Sequence, residues 1–204
     1  MPTSPADNVI SLYREHADAF ERLRGARLVE RDWLEDFLAL LPGPDPAVLD
    51  LGCGTGVPIA RHLIGRGCQI TGVDASDALL ARARTAFPGH VWIEADMRKL
   101  PPLGPFQGLI AWHSFFHLKP EHQRPMFRVF ERLAAPGAAL MFTSGTHLGE
   151  AIGQFEGQPL YHGSLDSAEY RELLREAGFK VVRHVEGDPV CGGANIWLAR
   201  RVGD

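Results

Sequence analysis

The segment Val48–Gly56, with the sequence VLDLGCGTG, constrains the fold of this chain more than any other feature. It is a short apolar run that ends in glycines at three alternate positions. Beyond it, apolar residues recur at helical spacing until Gly65 and Gly67. A strand, a glycine turn and a helix in this order are typical of the first unit of a parallel α/β sheet.

Short strands and helices alternate through the rest of the chain and predict the same architecture. Apolar runs predict strands at 47–51, 69–73, 90–95, 109–112, 138–143, 180–185 and 195–199. Helical spacing predicts helices at 76–87, 121–133 and 168–177, and two more between Val9 and Leu41. We therefore expect one α/β domain over residues 1–204, doubly wound, whose last two strands form an antiparallel hairpin at the sheet edge.

The composition is that of an ordinary globular protein and excludes several function classes. The 204 residues are 45% apolar and 23% charged, and the formal net charge is −4 without a basic cluster. This balance argues against non-specific binding to nucleic acid or to an anionic membrane. The three cysteines show no metal-ligand spacing, and no run of 18 apolar residues occurs. Residues 1–8 are polar, so we do not expect a signal peptide. We expect a cytoplasmic protein without a metal site.

Three aspartates follow three consecutive predicted strands and point to one crevice. Asp50, Asp74 and Asp96 stand at strand ends, and the carboxyl ends of parallel strands share one edge of a sheet. Val57 stands where a dinucleotide fingerprint needs its third glycine, and the GK[ST] of a phosphate loop is absent. Asp50 disfavours a phosphate beside the glycine turn and favours a cationic ligand. Asp74, 22 residues after Gly52, is placed to bind a ribose diol.

The segments VLDLGCGTG at 48–56, GVD at 72–74 and EADM at 94–97 resemble motifs one to three of the class I S-adenosylmethionine-dependent methyltransferases. The resemblance extends over about three quarters of the chain. It implies a Rossmann-like seven-stranded sheet in the order 3-2-1-4-5-7-6 with strand 7 antiparallel. It also implies that S-adenosylmethionine lies with its methionine part at the glycine loop, its ribose after strand two and its adenine after strand three. The residues that the resemblance assigns are Gly52, Gly54, Gly56, Asp74, Asp96 and Met97. We expect Asp50, Cys53 and Ala75, which lie in the same segments, to contact the cofactor as well.

The segment after the fourth strand, Trp112–His117, bears on the methyl acceptor. It lacks the Asn/Asp-Pro-Pro-Tyr/Phe element that is common in enzymes that methylate planar amino nitrogens of bases. We therefore expect a small-molecule acceptor. Trp112 either flanks the cofactor or packs in the core. His113 and His117 have no further ligands at metal-binding spacing, so a hydrogen-bonded loop histidine is favoured over a metal ligand.

Residues 1–46 are predicted to form a helical lid over the core of residues 47–204. Tyr13 and the nearby arginines 22, 24 and 27 offer a hydroxyl and guanidinium groups to the cofactor carboxylate. The alternative is that Tyr13 belongs to an apolar helix stripe and the arginines to a solvated face.

The stretch 145–163 has no clear periodicity and contains five glycines. We expect it to form an irregular lid on the acceptor side. Tyr161 supplies an aromatic wall in this interpretation, and His162 and His117 are candidate catalytic bases. Alternatively, Tyr161 anchors the loop by packing and His162 caps the helix that follows.

The function that the sequence predicts is in-line transfer of a methyl group from S-adenosylmethionine to a small molecule. One alternative is a non-catalytic module that binds S-adenosylmethionine. A nicotinamide-dependent oxidoreductase is a second, which Val57 and Asp50 disfavour. The acceptor, the methylated atom and the oligomeric state are left open.

Overall fold

The computed structural model describes residues 4–203, which form seven α-helices and nine strands. The helices are α1 (Pro5–Glu15), α2 (Ala17–Arg24), α3 (Arg31–Leu40), α4 (Ile59–Gly65), α5 (Asp77–Ala86), α6 (Pro120–Leu133) and α7 (Ser167–Glu176). The strands are β1 (Ala47–Leu51), β2 (Gln69–Asp74), β3 (Val91–Glu94), β4 (Phe106–Ala111), β5 (Ala134–Ser144), β6 (Gly149–Phe155), β7 (Gln158–Ser164), β8 (Phe179–Asp188) and β9 (Ala194–Arg201).

Seven of these strands form one sheet in the order β3-β2-β1-β4-β5-β9-β8. The strands from β3 to β5 pair in parallel, whereas β9 is antiparallel to both β5 and β8. Counted within the sheet, the order is 3-2-1-4-5-7-6, so the predicted fold is confirmed. The strand order reverses between β1 and β4, and ligands of open α/β sheets bind outside the carboxyl ends of the strands at such a point.

Helices cover both faces of the sheet and divide the core into two layers. On one face, Trp33 and Phe37 of α3 pack with buried apolar residues of α4 and α5. On the other, Phe127 and Phe130 of α6 pack with Tyr170 of α7. The central strands β1 and β4 are largely buried on both sides, which explains why they are mostly apolar rather than alternating, with Asp50 and Gln107 as the polar exceptions.

The N-terminal region differs from the prediction of two helices, because it contains three. The first two helices are separate because α1 ends at Glu15 and α2 begins at Ala17. The third, α3, buries Trp33 and Phe37 in the core. Because α3 belongs to the core, only α1 and α2, within the described part of residues 1–46, stay candidates for the predicted lid.

The segment 145–163 is not the irregular loop that we predicted. Most of it forms an antiparallel hairpin in which β6 pairs with β7, apart from the main sheet. The hairpin is held from outside, because Leu160 and Tyr161 pack against Val9 and Leu12 of α1. Glycines and polar residues mask the strand pattern locally, and the apolar partner lies about 150 residues away in the sequence.

Among the helices described here, none combines the length and the apolar character that crossing a membrane requires.

Candidate active site

One cavity opens at the carboxyl ends of β1, β2 and β4, below α1 and α2. Its lining comes from six places along the chain: α1, α2 and the segments that follow β1, β2, β3 and β4. The sequence-predicted residues in the lining are Tyr13, Arg24, Asp50, Gly52, Cys53, Gly54, Gly56, Asp74, Ala75, Asp96, Met97, Trp112 and His117. Tyr161 and His162 are not among the lining residues.

The glycine turn after β1 has a backbone that side chains would not permit. Gly52, Gly54 and Gly56 have φ angles of +76°, +55° and +74°, in the left-handed region. A Cβ atom on Gly52 would overlap the Cβ of Ser114, and one on Gly54 would lie 3.0 Å from the Phe20 ring. The turn is fixed to β2, because the Gly52 N–H donates to the Val73 carbonyl at 2.7 Å. The glycines therefore let the backbone border the cavity closely.

The carboxylate of Asp74 is held in place from two sides. Its Oδ2 accepts a hydrogen bond from the Gly54 N–H and its Oδ1 accepts one from the Ser76 N–H, both at 2.9 Å. Burial raises the pKa of Asp74, although these N–H donors act in the opposite direction. Each oxygen keeps a second lone pair, which suits a diol that donates two hydrogen bonds.

Asp50 is a buried carboxylate that makes no side-chain hydrogen bond with any residue that the structure describes. Burial raises its pKa to about 7, and the charges of Asp74 and Glu30 add to this effect, whereas Arg24 opposes it. A buried carboxylate without a partner is unfavourable in its ionised form. A cationic ligand in the cavity would stabilise that form.

Asp96 already has a partner within the chain. Its oxygens accept hydrogen bonds from the backbone N–H and the guanidinium of Arg98 at 2.5–2.9 Å. Burial acts to raise the pKa of Asp96, but the hydrogen bonds and charge of Arg98 lower it overall. An adenine amino group would share this carboxylate with Arg98. The sequence analysis did not predict that Arg98 binds Asp96. The only hint in the sequence was that Arg98 lies two residues after Asp96.

Tyr13, His117 and Tyr161 form a hydrogen-bonded chain from α1 to the hairpin. The Nδ1 atom of His117 lies 2.8 Å from the Tyr161 carbonyl oxygen, and its Nε2 lies 3.0 Å from the Tyr13 hydroxyl. A carbonyl only accepts, so Nδ1 is assigned the proton and Nε2 accepts from Tyr13. Burial lowers the pKa of His117 to about 4, although the Tyr161 carbonyl opposes this. Both ring nitrogens are thus in use.

Trp112 and His113 follow β4 but differ in their surroundings. Trp112 is 4% exposed, and its indole N–H is buried without a hydrogen-bond partner among the described residues. Trp112 both packs in the core and lines the cavity, so the structure combines the two alternatives. His113, in contrast, exposes its ring to the cavity. Its backbone φ is +49°, an unusual value for a residue other than glycine.

The other candidates lie beside the cavity. Tyr161 is buried against α1 and donates its hydroxyl to Glu150 at 2.8 Å. The ring of His162 lies 5.1 Å from that of His117, centroid to centroid. Of the three N-terminal arginines only Arg24 reaches the lining, where it forms an ion pair with the buried Glu30.

Known proteins similar to this chain bear on the ligand of the cavity. The family described as "Methyltransferase domain" matches residues 48–137. Trans-aconitate 2-methyltransferase of Rhodopseudomonas palustris (strain BisB18) is 32% identical over 189 residues, which cover 87% of this chain and 67% of that protein. The chain belongs to the S-adenosylmethionine-dependent methyltransferases. An O-methyltransferase of Pyrenophora dematioidea is 28% identical, with 80% of this chain and 66% of that protein covered.

Solved structures of low sequence identity share the fold of this methyltransferase. Magnesium protoporphyrin IX methyltransferase of Synechocystis with bound S-adenosylhomocysteine matches with a TM-score of 0.73 at 19% identity, over 97% of this chain and 100% of that one. An amino pentose methyltransferase of Micromonospora echinaspora with bound S-adenosylmethionine matches with a TM-score of 0.70 at 20% identity, over 91% and 96%.

The predictions of enzyme class and cofactor are confirmed: the methyltransferase uses S-adenosylmethionine and acts on small molecules. The residues present fit this cofactor. The glycine turn leaves space that a Cβ atom would fill, Asp74 offers free lone pairs, and Asp50 is a carboxylate that lacks a cation.

Proposed function

We propose that this methyltransferase methylates a carboxylate oxygen of a small acid. The observation that carries the proposal is that three histidines, 113, 117 and 162, border the site and burial lowers the pKa of each. Because the surroundings disfavour the protonated form of these histidines, they are weak bases and poor at removing a proton from the acceptor. A carboxylate arrives without that proton. The name of the relative, a methyltransferase for the carboxylic acid trans-aconitate, supports the same class.

We propose that the lining residues contact the three parts of S-adenosylmethionine: its ribose, its adenine and its methionine part. Asp74 with Ala75 holds the ribose, Asp96 and Met97 contact the adenine, and the glycine turn with Cys53 borders the methionine part. Arg24 binds the cofactor carboxylate, and Asp50 faces the cationic end. Tyr13 closes the cavity from α1, and Trp112 packs beside the sulfonium. Their common place in the lining supports these roles.

The bound cofactor supplies a sulfonium methyl group that is reactive without activation. The chain then has to align the acceptor oxygen with the methyl–sulfur axis and exclude water. The lining combines apolar and aromatic residues of α1 and α2, Ile10, Tyr13 and Phe20, with the glycine turn, which suits a reaction enclosed from water. The Tyr13 hydroxyl donates to His117, so its oxygen lone pairs are the part of this group that is free to face a cation.

A second candidate acceptor carries a proton, as in a hydroxyl or an amine. The Tyr13–His117 hydrogen bond favours it, because a proton passed to the Tyr13 oxygen can move on to Nε2 of His117. The predicted roles of His117 and His162 as bases belong to this candidate, with Tyr161 as the residue that orients His117 through its carbonyl.

We expect the two candidates to differ in product and in pH dependence. With methyl-labelled S-adenosylmethionine and a panel of acids that includes trans-aconitate, a methylated carboxylate yields an ester that releases labelled methanol in alkali. The turnover number on an acid should be flat from about pH 6 to pH 9, since no base is required. A base-stable product, with turnover that falls tenfold per pH unit below a base's pKa, would contradict the proposal and favour the second candidate.

We also expect the affinity for S-adenosylhomocysteine to rise with pH, by up to tenfold per unit, until it levels off above about pH 7. Asp50 has a pKa of about 7 in the free protein, and binding of the cofactor's ammonium group favours its ionised form. Below that pH, binding must therefore release a proton. Calorimetry in two buffers of different ionisation enthalpy measures this release. The variant Asp50→Asn should bind weakly at every pH; an unchanged pH dependence in this variant would refute the assignment.

The acceptor is a small molecule, and nucleic acid is not proposed as a partner because the chain has no basic cluster. We keep the cytoplasm as the proposed location, supported by the three free cysteines.

A further inference from the structure

His113 sits in a turn whose backbone is strained and firmly held. Its φ of +49° lies in the left-handed region, where a side chain with a Cβ atom is disfavoured. The His113 N–H donates to the Thr143 hydroxyl on β5 at 2.9 Å, and the next residue, Ser114, donates its hydroxyl to the Leu51 carbonyl at 2.6 Å. Strained residues persist where the surroundings over-determine them, and they concentrate at functional sites. Hydrogen bonds to β1 and β5 thus fix the backbone of the turn that carries the imidazole.

The imidazole itself has no hydrogen-bond partner among the described residues. The residue lines the cavity and has exposed surface there. His117 differs, because both of its ring nitrogens are already bonded. The rings next to His113 are those of Trp112 at 5.3 Å and Phe116 at 5.7 Å, which contact it edge-on and leave its nitrogens free.

The surroundings of His113 decide what it can offer. Although the residue has exposed surface at the cavity, the protein around its ring excludes part of the water, and this desolvation lowers its pKa to about 4; the charges of Arg24 and His162 add to the effect, so the ring is neutral at pH 7. A neutral imidazole has one N–H donor. Arg24, which lines the same cavity, has only donors, although Glu30 and the proposed cofactor carboxylate already use some of them. A ring N–H in a cavity that also holds a guanidinium group suits an oxygen anion.

We infer that His113 donates a hydrogen bond to the carboxylate of the methyl acceptor and is the residue that selects acids as substrates. This inference rests on the proposed function, since it concerns the same acceptor. A carboxylate bound here lies among the residues after β4, on the opposite side of the cavity from Asp96 and the segment after β3. The same chemistry could come from the carboxylate of the cofactor itself, and the test has to separate the two.

The backbone strain at His113 means that one substitution should raise stability and weaken acceptor binding at the same time. Glycine adopts a φ of +49° freely, so His113→Gly removes both the ring and the strain. We expect this variant to be more stable than the wild type, with a Tm higher by about 2–4 °C. It should bind the acceptor at least tenfold more weakly, as expected when a hydrogen bond to a charged group is lost. A histidine that served only to pack would give the opposite sign in stability.

The experiment uses the full chain with bound S-adenosylhomocysteine and titrates sodium acetate and trans-aconitate against matched sodium chloride. Binding is measured by calorimetry and by the NMR signals of the histidine rings. We expect both acids to bind the wild type and to bind His113→Gly at least tenfold more weakly, with the affinity for S-adenosylhomocysteine within twofold. His147→Ala, which removes an exposed histidine outside the cavity, is the matched control and should bind like the wild type.

Three results would overturn the inference. The first is that neither acid binds the wild type, or that both bind His113→Gly equally well. The second is a lower Tm for His113→Gly, which would mark a structural residue. The third is that His113→Gly binds S-adenosylhomocysteine more weakly in the absence of an acid, which would mean that His113 binds the carboxylate of the cofactor rather than that of the acceptor. Failure of the proposed function is a separate result, namely that the wild type forms no methyl ester although the acids bind.

Discussion

Gly52→Ala is expected to lower the free energy of unfolding by about 3 kcal/mol or more and the Tm by about 2–4 °C per kcal/mol. Two costs add. The φ of +76° disfavours any residue with a Cβ atom, and that atom would overlap the Cβ of Ser114 and lie 2.8 Å from its hydroxyl oxygen. The same turn borders the cavity, so cofactor binding should be lost with it. Denaturant unfolding and calorimetry with S-adenosylhomocysteine measure the two effects.

A double variant separates the two costs. Ser114→Gly removes the overlap partner but also the hydrogen bond from the Ser114 hydroxyl to the Leu51 carbonyl, so the double variant is compared with Ser114→Gly alone; we expect Gly52→Ala to cost less stability in that background than in the wild type. Gly89→Ala is the matched control, because a Cβ atom there meets nothing within 4 Å and the φ is not left-handed. Equal stability of Gly52→Ala and Gly89→Ala would show that the contact between the two turns is not as described.

Asp74→Ala is expected to weaken the binding of S-adenosylhomocysteine at least thirtyfold, or by about 2 kcal/mol or more. The variant removes the proposed acceptor of both ribose hydroxyls. It also leaves the Gly54 and Ser76 N–H groups without their carboxylate, so the glycine turn loses a support. Calorimetry on the purified variant gives the affinity, and circular dichroism shows whether the fold persists.

The control for this prediction is Glu94→Gln. Glu94 pairs with Asp74 across β2 and β3 but does not line the cavity, and its carboxylate binds Arg14 at the surface. We expect its affinity for S-adenosylhomocysteine to stay within twofold of the wild type. If Asp74→Ala also stays within twofold while folded, the assignment of Asp74 to the ribose is wrong.

The parts of the site that could be predicted from the sequence are those built from residues close together in the chain. The glycine turn and the strand that precedes it lie within ten residues, and their conformation follows from local backbone preferences. Asp74 and Asp96 are predictable because strand ends in a parallel sheet meet at one edge, so their position follows from the strand pattern alone. The antiparallel last hairpin followed in the same way from the absence of a helix between its strands.

Other features depended on contacts between distant residues. The hairpin of β6 and β7 packs against α1, and a local window of sequence does not contain that partner. Of the two arginines on α2, Arg24 reaches the cavity and Arg22 does not, because the orientation of the helix decides which side chain faces inward; Arg27 lies beyond the end of this helix. The Arg98 pairing of Asp96 depends on side-chain conformation, which the motif does not specify.

By itself, the sequence determined the α/β fold, because alternating strands and helices are visible as periodicity along the chain; the strand order and the cofactor followed from the resemblance of its motifs to those of a known family. Only the tertiary structure decided which histidine is free to meet the acceptor. His117 is 104 residues from Tyr13 and 44 from Tyr161, and both of its nitrogens are taken by them. His113, four residues earlier, is held only through its backbone N–H, so its ring nitrogens have no partner among the described residues. Two histidines of the same motif thus differ because hydrogen bonds join residues that are close in space, whatever their distance in sequence.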